Sequence, residues 1–306
     1  AVLGGTTEIA MDGIARAGSP GAYTDGVARR AGSHLSVVDG AVLGARAAAK
    51  ARASADAVEL PPGRYEVVLE PTAVGDVLHC LAMYGFNGKA VNERRSFFVA
   101  GEQQFDDAVT IVDDAVSPGL VGLPFDAEGT PKRRLELVRD GLSRTPVHDR
   151  RTARQAGGDT ASTGHALPGA GGWGAIAPNL ALLPVLDEDP TEVDGPAADS
   201  SVARLVAGVS RGVLVTDHWY TRVLDPRTLV MTGLTRNGVW LIEDGEVTRP
   251  VQNFRFTQSY PQALAPGQVL GIGSHAVTLP NSWETMSYRA PALHLASWNF
   301  TGGASG

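Results

Sequence analysis

The sequence has 306 residues, 43% of them hydrophobic and 19% charged, enough to bury a core in one large or two ordinary domains and too apolar for a disordered chain. A net charge of −7 argues against a protein that grips a phosphate backbone, which needs clustered Lys and Arg; the Arg pairs starting at 29, 94, 133 and 150 each have acids nearby and read as solvated surface. No apolar run approaches the ~20 residues of a bilayer span, and residues 1–30 lack an export signal, so a cytoplasmic protein without membrane contact is expected.

Residues 1–35 are rich in Gly, Ala and Ser, and GSPGAYTDG within them is a loop signal. The Ala- and Arg-rich stretch 41–56 predicts a helix, ended by LPPGR, and a boundary near 58–63 divides the chain into 1–58 and 59–306. In YEVVLEP, Tyr65, Val67 and Leu69 alternate with Glu66, Val68 and Glu70, which predicts a strand. Thr72 then reads as the N-cap of a helix over 72–84, whose apolar residues at 74, 77, 78, 81 and 82 form one buried stripe. His79 and Met83 lie off that stripe and face something else. Beyond 105, short strands are predicted in 108–114, 133–141, 212–220, 228–251 and 291–300. RNG at 236–238 and EDG at 243–245 read as tight turns of an antiparallel meander. Residues 157–179 form a long Gly-rich loop and 187–201 an acidic, Pro-containing linker. The fold class expected is α+β, a curled antiparallel sheet with flanking helices.

Residues 77–86, VLHCLAMYGF, begin like a metal-binding helix. A zinc-hydrolase helix carries two histidines on one side and a glutamate to activate the bound water. Here Cys80 follows His79 and Met83 stands one turn on. Asp76, three residues earlier, makes either a surface pair with His79 or two ligands of a weak site. Cys80 reads as a small buried hydrophobe, because adjacent helical side chains diverge by about 100° and cannot act as thiol and base. The other histidines, 34, 148, 165, 218, 275 and 294, show no metal spacing. His165 sits in the Gly-rich loop and His218 at a strand end beside Trp219; both read as structural or exposed, with a place in a cleft as the alternative. Neither a G-x-S-x-G elbow nor a phosphate loop is present.

Three stretches together resemble one family. PPGRYEVVLEP followed by the amphipathic helix, FDAEGTPKRRLELVRDG, and above all LTRNGVWLIEDGEVTRPVQNFRFTQS are similar to the TldD/PmbA metallopeptidases, over about residues 5–300. The resemblance implies that 1–58 is the end of that family's central region and 59–306 its β-rich C-terminal domain, with the usual N-terminal domain absent here. In TldD the matching helix carries His-Glu-x-x-x-His, and a distant cysteine is the third zinc ligand. His79 matches the first histidine, Cys80 replaces the glutamate and Tyr84 replaces the second histidine. NSWETMSYRAP (281–291) lies where the ligand cysteine is expected and contains none. This is the pattern of the PmbA/TldE branch, once labelled modulator of DNA gyrase. It implies a non-catalytic bacterial subunit with no cofactor of its own, paired with a TldD-like subunit that holds the zinc, in a heterodimer that degrades unfolded peptides. His165, His218 and Trp219 are the candidates for lining a substrate or partner cleft. The alternative is a divergent peptidase or amidohydrolase of a specialised biosynthetic pathway, active alone with an atypical metal site.

Overall fold

The computed structural model describes residues 3–117, 120–169, 172–186, 199–281 and 286–304. A hairpin of β1 (Ile9–Ser19) and β2 (Ala22–Gly32) precedes α1 (Gly40–Ala53), β3 (Gly63–Leu69), α2 (Pro71–Cys80), a π turn (Leu81–Gly85) and α3 (Gly88–Asn92). Next come β4 (Ile111–Asp113), β5 (Leu135–Arg139), β6 (Leu142–Ser143), α4 (Arg150–Ala156), β7 (Leu180–Leu182) and α5 (Ser200–Val206). Then follow β8 (Arg211–Asp225), β9 (Val230–Glu243), β10 (Glu246–Pro250), β11 (Phe254–Ser259), α6 (Tyr260–Ala263), β12 (Val269–Pro280) and β13 (Ser287–Gly303).

Eleven strands form one sheet in the order β10-β9-β8-β3-β13-β7-β4-β5-β6, with β12 on β13 and β11 bridging β13 and β9. That bridge closes β9, β8, β3, β13 and β11 into a ring, so the sheet is curled and mostly antiparallel, an α+β fold of the class the sequence predicts. The exceptions are β3 with β8, and a single step of β13 with β7, which run parallel. The β3–β8 parallel pair needs a long crossover, which the whole stretch from α2 to α5 supplies. Phe254, Phe256, Trp298 and Phe300 share the main core with Val74, Val77 and Leu78 of α2 and Leu81 and Ala82 of the π turn. Burying each such side chain contributes about 1.5–3 kcal/mol, which holds α2 on the sheet.

Several local expectations change. Residues 1–35, in which only the loop signal GSPGAYTDG was read, hold an eleven-residue-per-strand hairpin; Ser19 pairs with Ala22, so of that signal Pro20–Gly21 is the turn and the rest is mostly strand. The hairpin's small residues serve contact with α1: a Cβ on Gly26 would lie 2.2 Å from the Ala47 carbonyl oxygen. Composition suggested looseness where the packing needs close approach. The hairpin is also anchored by Arg29, which sequence reading left in solvent. Its guanidinium lies 3.0 Å from Asp217 on β8 and 2.9 Å from Asp12 on β1. RNG, read as a turn, lies inside β9 as an irregularity in its pairing with β8. Asn237 (φ 60°) and Gly238 (φ 129°) bend the strand there, and Asn237 Nδ2 donates to Asp217 Oδ2 at 3.0 Å. The EDG turn is where expected, with Asp244 and Gly245 at positive φ. Strands β7, β11 and β12 were not anticipated. Of the expected linker 187–201, residues 187–198 lie outside the described residues; Asp199 caps α5, accepting from the backbone N–H groups of Ser201 and Val202.

Gly238 gives a direct test of that bend. A Cβ there would fall 2.0 Å from the Trp240 ring, on backbone that side chains other than hydrogen rarely adopt. Gly238→Ala is expected to cost about 3 kcal/mol in urea-unfolding free energy; a loss under about 1 kcal/mol would show that the bend is not required.

Candidate functional site

Pro71 sets the first turn of α2 directly after β3, and the apolar stripe presses the helix onto the sheet. The helix predicted to run unbroken to 84 instead widens after Cys80. Phe86 N–H donates to the Leu81 carbonyl at 2.8 Å, a π closure spanning five residues. In an α-helix residues five apart diverge by about 140° (roughly 100° per residue); the slower rotation of the π turn narrows the angle between positions 79 and 84.

His79 is half-buried, and its Nδ1 has two neighbours far along the chain: the Tyr288 hydroxyl on β13 at 3.1 Å and, just past β12, Asn281 Nδ2 at 3.2 Å. An amide NH2 can only donate, so Nδ1 accepts and a neutral imidazole carries its proton on Nε2. The Tyr288 ring meets the imidazole edge-on at 5.8 Å. A zinc ion does not fit this donor set. An amide and a phenol surround the imidazole, and Cys80 is buried, with burial and then the Asp76 charge pushing its thiol well up, away from the ligating thiolate. Among the described residues no three His, Cys, Asp or Glu side chains converge as a cation site. Residues 282–285 of the expected ligand region lie outside the described residues.

Asp76 does not make a surface pair with His79, one of the two arrangements expected of them. Its Oδ2 accepts hydrogen bonds from the Tyr260 hydroxyl at 2.9 Å and Thr221 Oγ1 at 3.1 Å. Burial alone would raise this carboxyl, but His218 and Tyr260 outweigh it and hold it below the ordinary carboxylate range. The same burial and the Asp76 charge push the Tyr260 phenol well up.

The three cleft candidates sit in different places. His218 is in the middle of β8, not at a strand end, because β8 runs on through residue 225. Its side chain is fully enclosed between Phe256, with ring centres 4.5 Å apart, and Trp298, stacked at 5.2 Å. Nδ1 is 3.6 Å from Asp76 Oδ2, too long for a hydrogen bond. His165 is equally enclosed: Nε2 donates to Asp113 Oδ1 at 3.0 Å and Nδ1 lies 2.9 Å from Thr163 Oγ1. Neither ring lines an open cleft; the glycines around His165 let the loop fold inward and bury it. Trp219 is exposed on β8, with the Arg236 guanidinium 4.9 Å from its ring.

An open cleft is lined by the π turn that follows His79 and Cys80. A volume of about 350 Å³ is lined by Met83 and Tyr84 of the π turn, Trp173, Arg95, and Val223 and Pro226 at the end of β8. Burial, then the neighbouring Cys80, pushes the Tyr84 phenol up against the opposing Arg222 charge. Beside the cleft, β3 pairs with β8 only through Val215, so from Asp217 to Asp225 β8 has β9 on one side and no strand on the other among the described residues. Met83 off the buried stripe was the signal available for this cleft. Trp173, Asn281 and Tyr288 gave none, being brought in by long-range folding.

No helix among the described residues is long and apolar enough to cross a membrane. The chain is 30% identical over 226 residues to a TldD-homologue metalloprotease of Haemophilus influenzae, covering 71% of this chain and 43% of that one. In fold it is similar to TldE of Thermococcus kodakarensis (TM-score 0.77, 19% identity, 96% of this chain and 62% of that one). A candidate modulator of a DNA gyrase from Thermotoga maritima is also similar (TM-score 0.77, 20% identity, 95% and 62%). The chain thus spans under two thirds of each of these proteins. Residues 62–302 match the PmbA/TldA metallopeptidase C-terminal domain, from β3 through nearly all of β13, and the chain belongs to the PmbA/TldD metallopeptidase family.

Proposed function

We propose that this chain is a TldE-like, non-catalytic subunit that pairs with a TldD-like zinc peptidase, closes its chamber and helps hold an extended peptide. The observation that carries the reading is the donor set at the degenerate motif: Cys80 where a water-activating carboxylate would be needed, Tyr84 where a second imidazole would be, and His79 Nδ1 engaged by Asn281 and Tyr288. One imidazole does not hold zinc against solvent, and without a carboxylate the water has no base. Peptide holding is supported by the edge of β8 beside the cleft that no strand pairs with among the described residues, since an extended peptide adds to such an edge through main-chain hydrogen bonds with little demand on sequence. Residues 1–58, ahead of the matched domain, would be the end of a central region.

Metal analysis of the purified chain, alone and after mixing with a TldD-like subunit, tests the reading. Zinc well below one per chain is expected for the chain alone. A stable mixed complex that degrades unfolded peptide, where the partner alone does so weakly, is also expected. One zinc per isolated chain, lost in His79→Ala, would overturn it in favour of an autonomous enzyme.

A further inference from the structure

We infer that the cleft between the π turn and the end of β8 is a subsite for the carboxyl end of a peptide whose last side chain is apolar. This rests on the peptide-holding reading and adds an orientation and a terminus to it.

The walls set the side chain. Met83, Tyr84, Val223 and Pro226 present carbon surface, and Trp173 at the mouth leaves 59% of its surface exposed. At about 350 Å³ the cleft is at the small end of ligand sites, which run to roughly 1,000 Å³; it admits an apolar residue and not a helix. The wall is braced: Asn87 Nδ2 donates to the Trp173 carbonyl at 2.8 Å, while Asn87 Oδ1 accepts from the Lys89 backbone N–H at 2.9 Å.

The rim sets the carboxylate. In a chain of net charge −7, Arg95 is the cation that lines this cleft, with Lys89 and Arg222 next to lining residues and Glu93 and Asp225 as the acids nearby. Lys89 Nζ is 2.7 Å from Glu93 Oε1 and Arg95 Nε 2.9 Å from Oε2, so two cations share a single carboxylate at the surface. Arg222, stacked at 4.2 Å on Tyr220, is near enough to act on the Tyr84 phenol. Exposed pairs of this kind are weak, and a guanidinium fork takes an incoming carboxylate with two parallel hydrogen bonds. The carboxylate sets the direction: with it at Arg95, a peptide laid along β8 past the bend at Tyr220 (φ 57°) runs parallel to that strand and ends at Pro226, which has no N–H to offer. The ladder ends there, in the cleft.

Calorimetric titration of the chain with one hexapeptide ending in Phe, as the free acid and as the C-terminal amide, tests this. The acid is expected to bind about tenfold more tightly, as a charge-assisted contact gives. Arg95→Gln should shrink that preference to under about threefold, and Trp173→Ala should weaken both forms; both side chains are exposed, and unchanged thermal unfolding midpoints will confirm the fold. Equal affinity of acid and amide overturns the subsite while leaving peptide holding intact. Failure of every peptide to bind overturns both.

Discussion

Arg29→Ala is expected to lower the unfolding free energy by about 3–5 kcal/mol, a large part of the roughly 5–15 kcal/mol that holds a typical domain. Asp217 is 2% exposed at its side chain, and its carboxylate is met by Arg29 and by Asn237. Removing the guanidinium leaves a buried anion with one amide donor. The pair already sits near the balance point: burial raises the Asp217 carboxyl above its ordinary 3.8, and Arg29 and Asn237 offset that only in part. The sign of the pH dependence follows. A carboxyl raised by folding binds more protons in the native state, so its contribution to stability falls as pH rises from 3.8 through the folded value. Without Arg29 the carboxyl rises further, so the variant's deficit should be largest at neutral pH and shrink on acidification. Adding Asp217→Asn to Arg29→Ala should recover most of the loss in a double-mutant cycle. Urea unfolding at neutral and mildly acid pH reads both; a deficit under about 1 kcal/mol, or one that grows on acidification, would mean that the hairpin is not anchored through this pair.

The second large effect lies at the other end of the sheet. His165→Ala is expected to cost about 3–5 kcal/mol, because it strands Asp113, whose Oδ1 takes the imidazole proton while Oδ2 accepts the Asn179 backbone N–H at 2.8 Å. Burial pushes this carboxyl up, but His165 first, then Lys132 and the Asn179 N–H, more than reverse it and leave it below 3.8. Here the sign is the opposite of that at Asp217. A depressed carboxyl contributes stability that is complete above 3.8 and is lost as pH falls through the folded value. The wild type should therefore shed this contribution only below about pH 4, and His165→Ala should remove it at neutral pH and flatten that part of the acid profile. Acid unfolding followed by near-ultraviolet circular dichroism distinguishes the two; an unchanged acid limb in the variant would refute the assignment.

These two pairs mark the limits of what the sequence discloses. Strand alternation around Tyr65–Leu69, the α2 stripe, the EDG turn and the motif-bearing hairpin 234–259 are local patterns, and they led to the right fold class and family. Arg29 with Asp217 and Asp113 with His165 join residues far apart in the chain. No local period encodes such a meeting, so one looked like solvated charge and the other like a loose loop. The RNG bulge failed for a related reason: Asn-Gly favours positive φ whether it reverses a chain or kinks a strand, and the register of β8 decides which. At the site, Cys80 and Tyr84, where the resemblance leads one to expect a glutamate and a histidine, were legible in the sequence. The cleft was not, because its walls come from the π turn, residue 173 and the end of β8.

The place of β13 in the sheet bears on how the protein is made. β13 hydrogen-bonds to β3, β7, β11 and β12, yet it leaves the ribosome after all of them. Until then β3, synthesised more than 200 residues earlier, lacks its antiparallel neighbour, and the ring cannot close. Local antiparallel pairing is available early to the hairpin with α1, to β5 with β6 and to the β8–β9–β10 meander, whereas β12 and β13 form a late hairpin. The pairings of β13 with β3 and β7 have high contact order, and until they form those edges are unprotected.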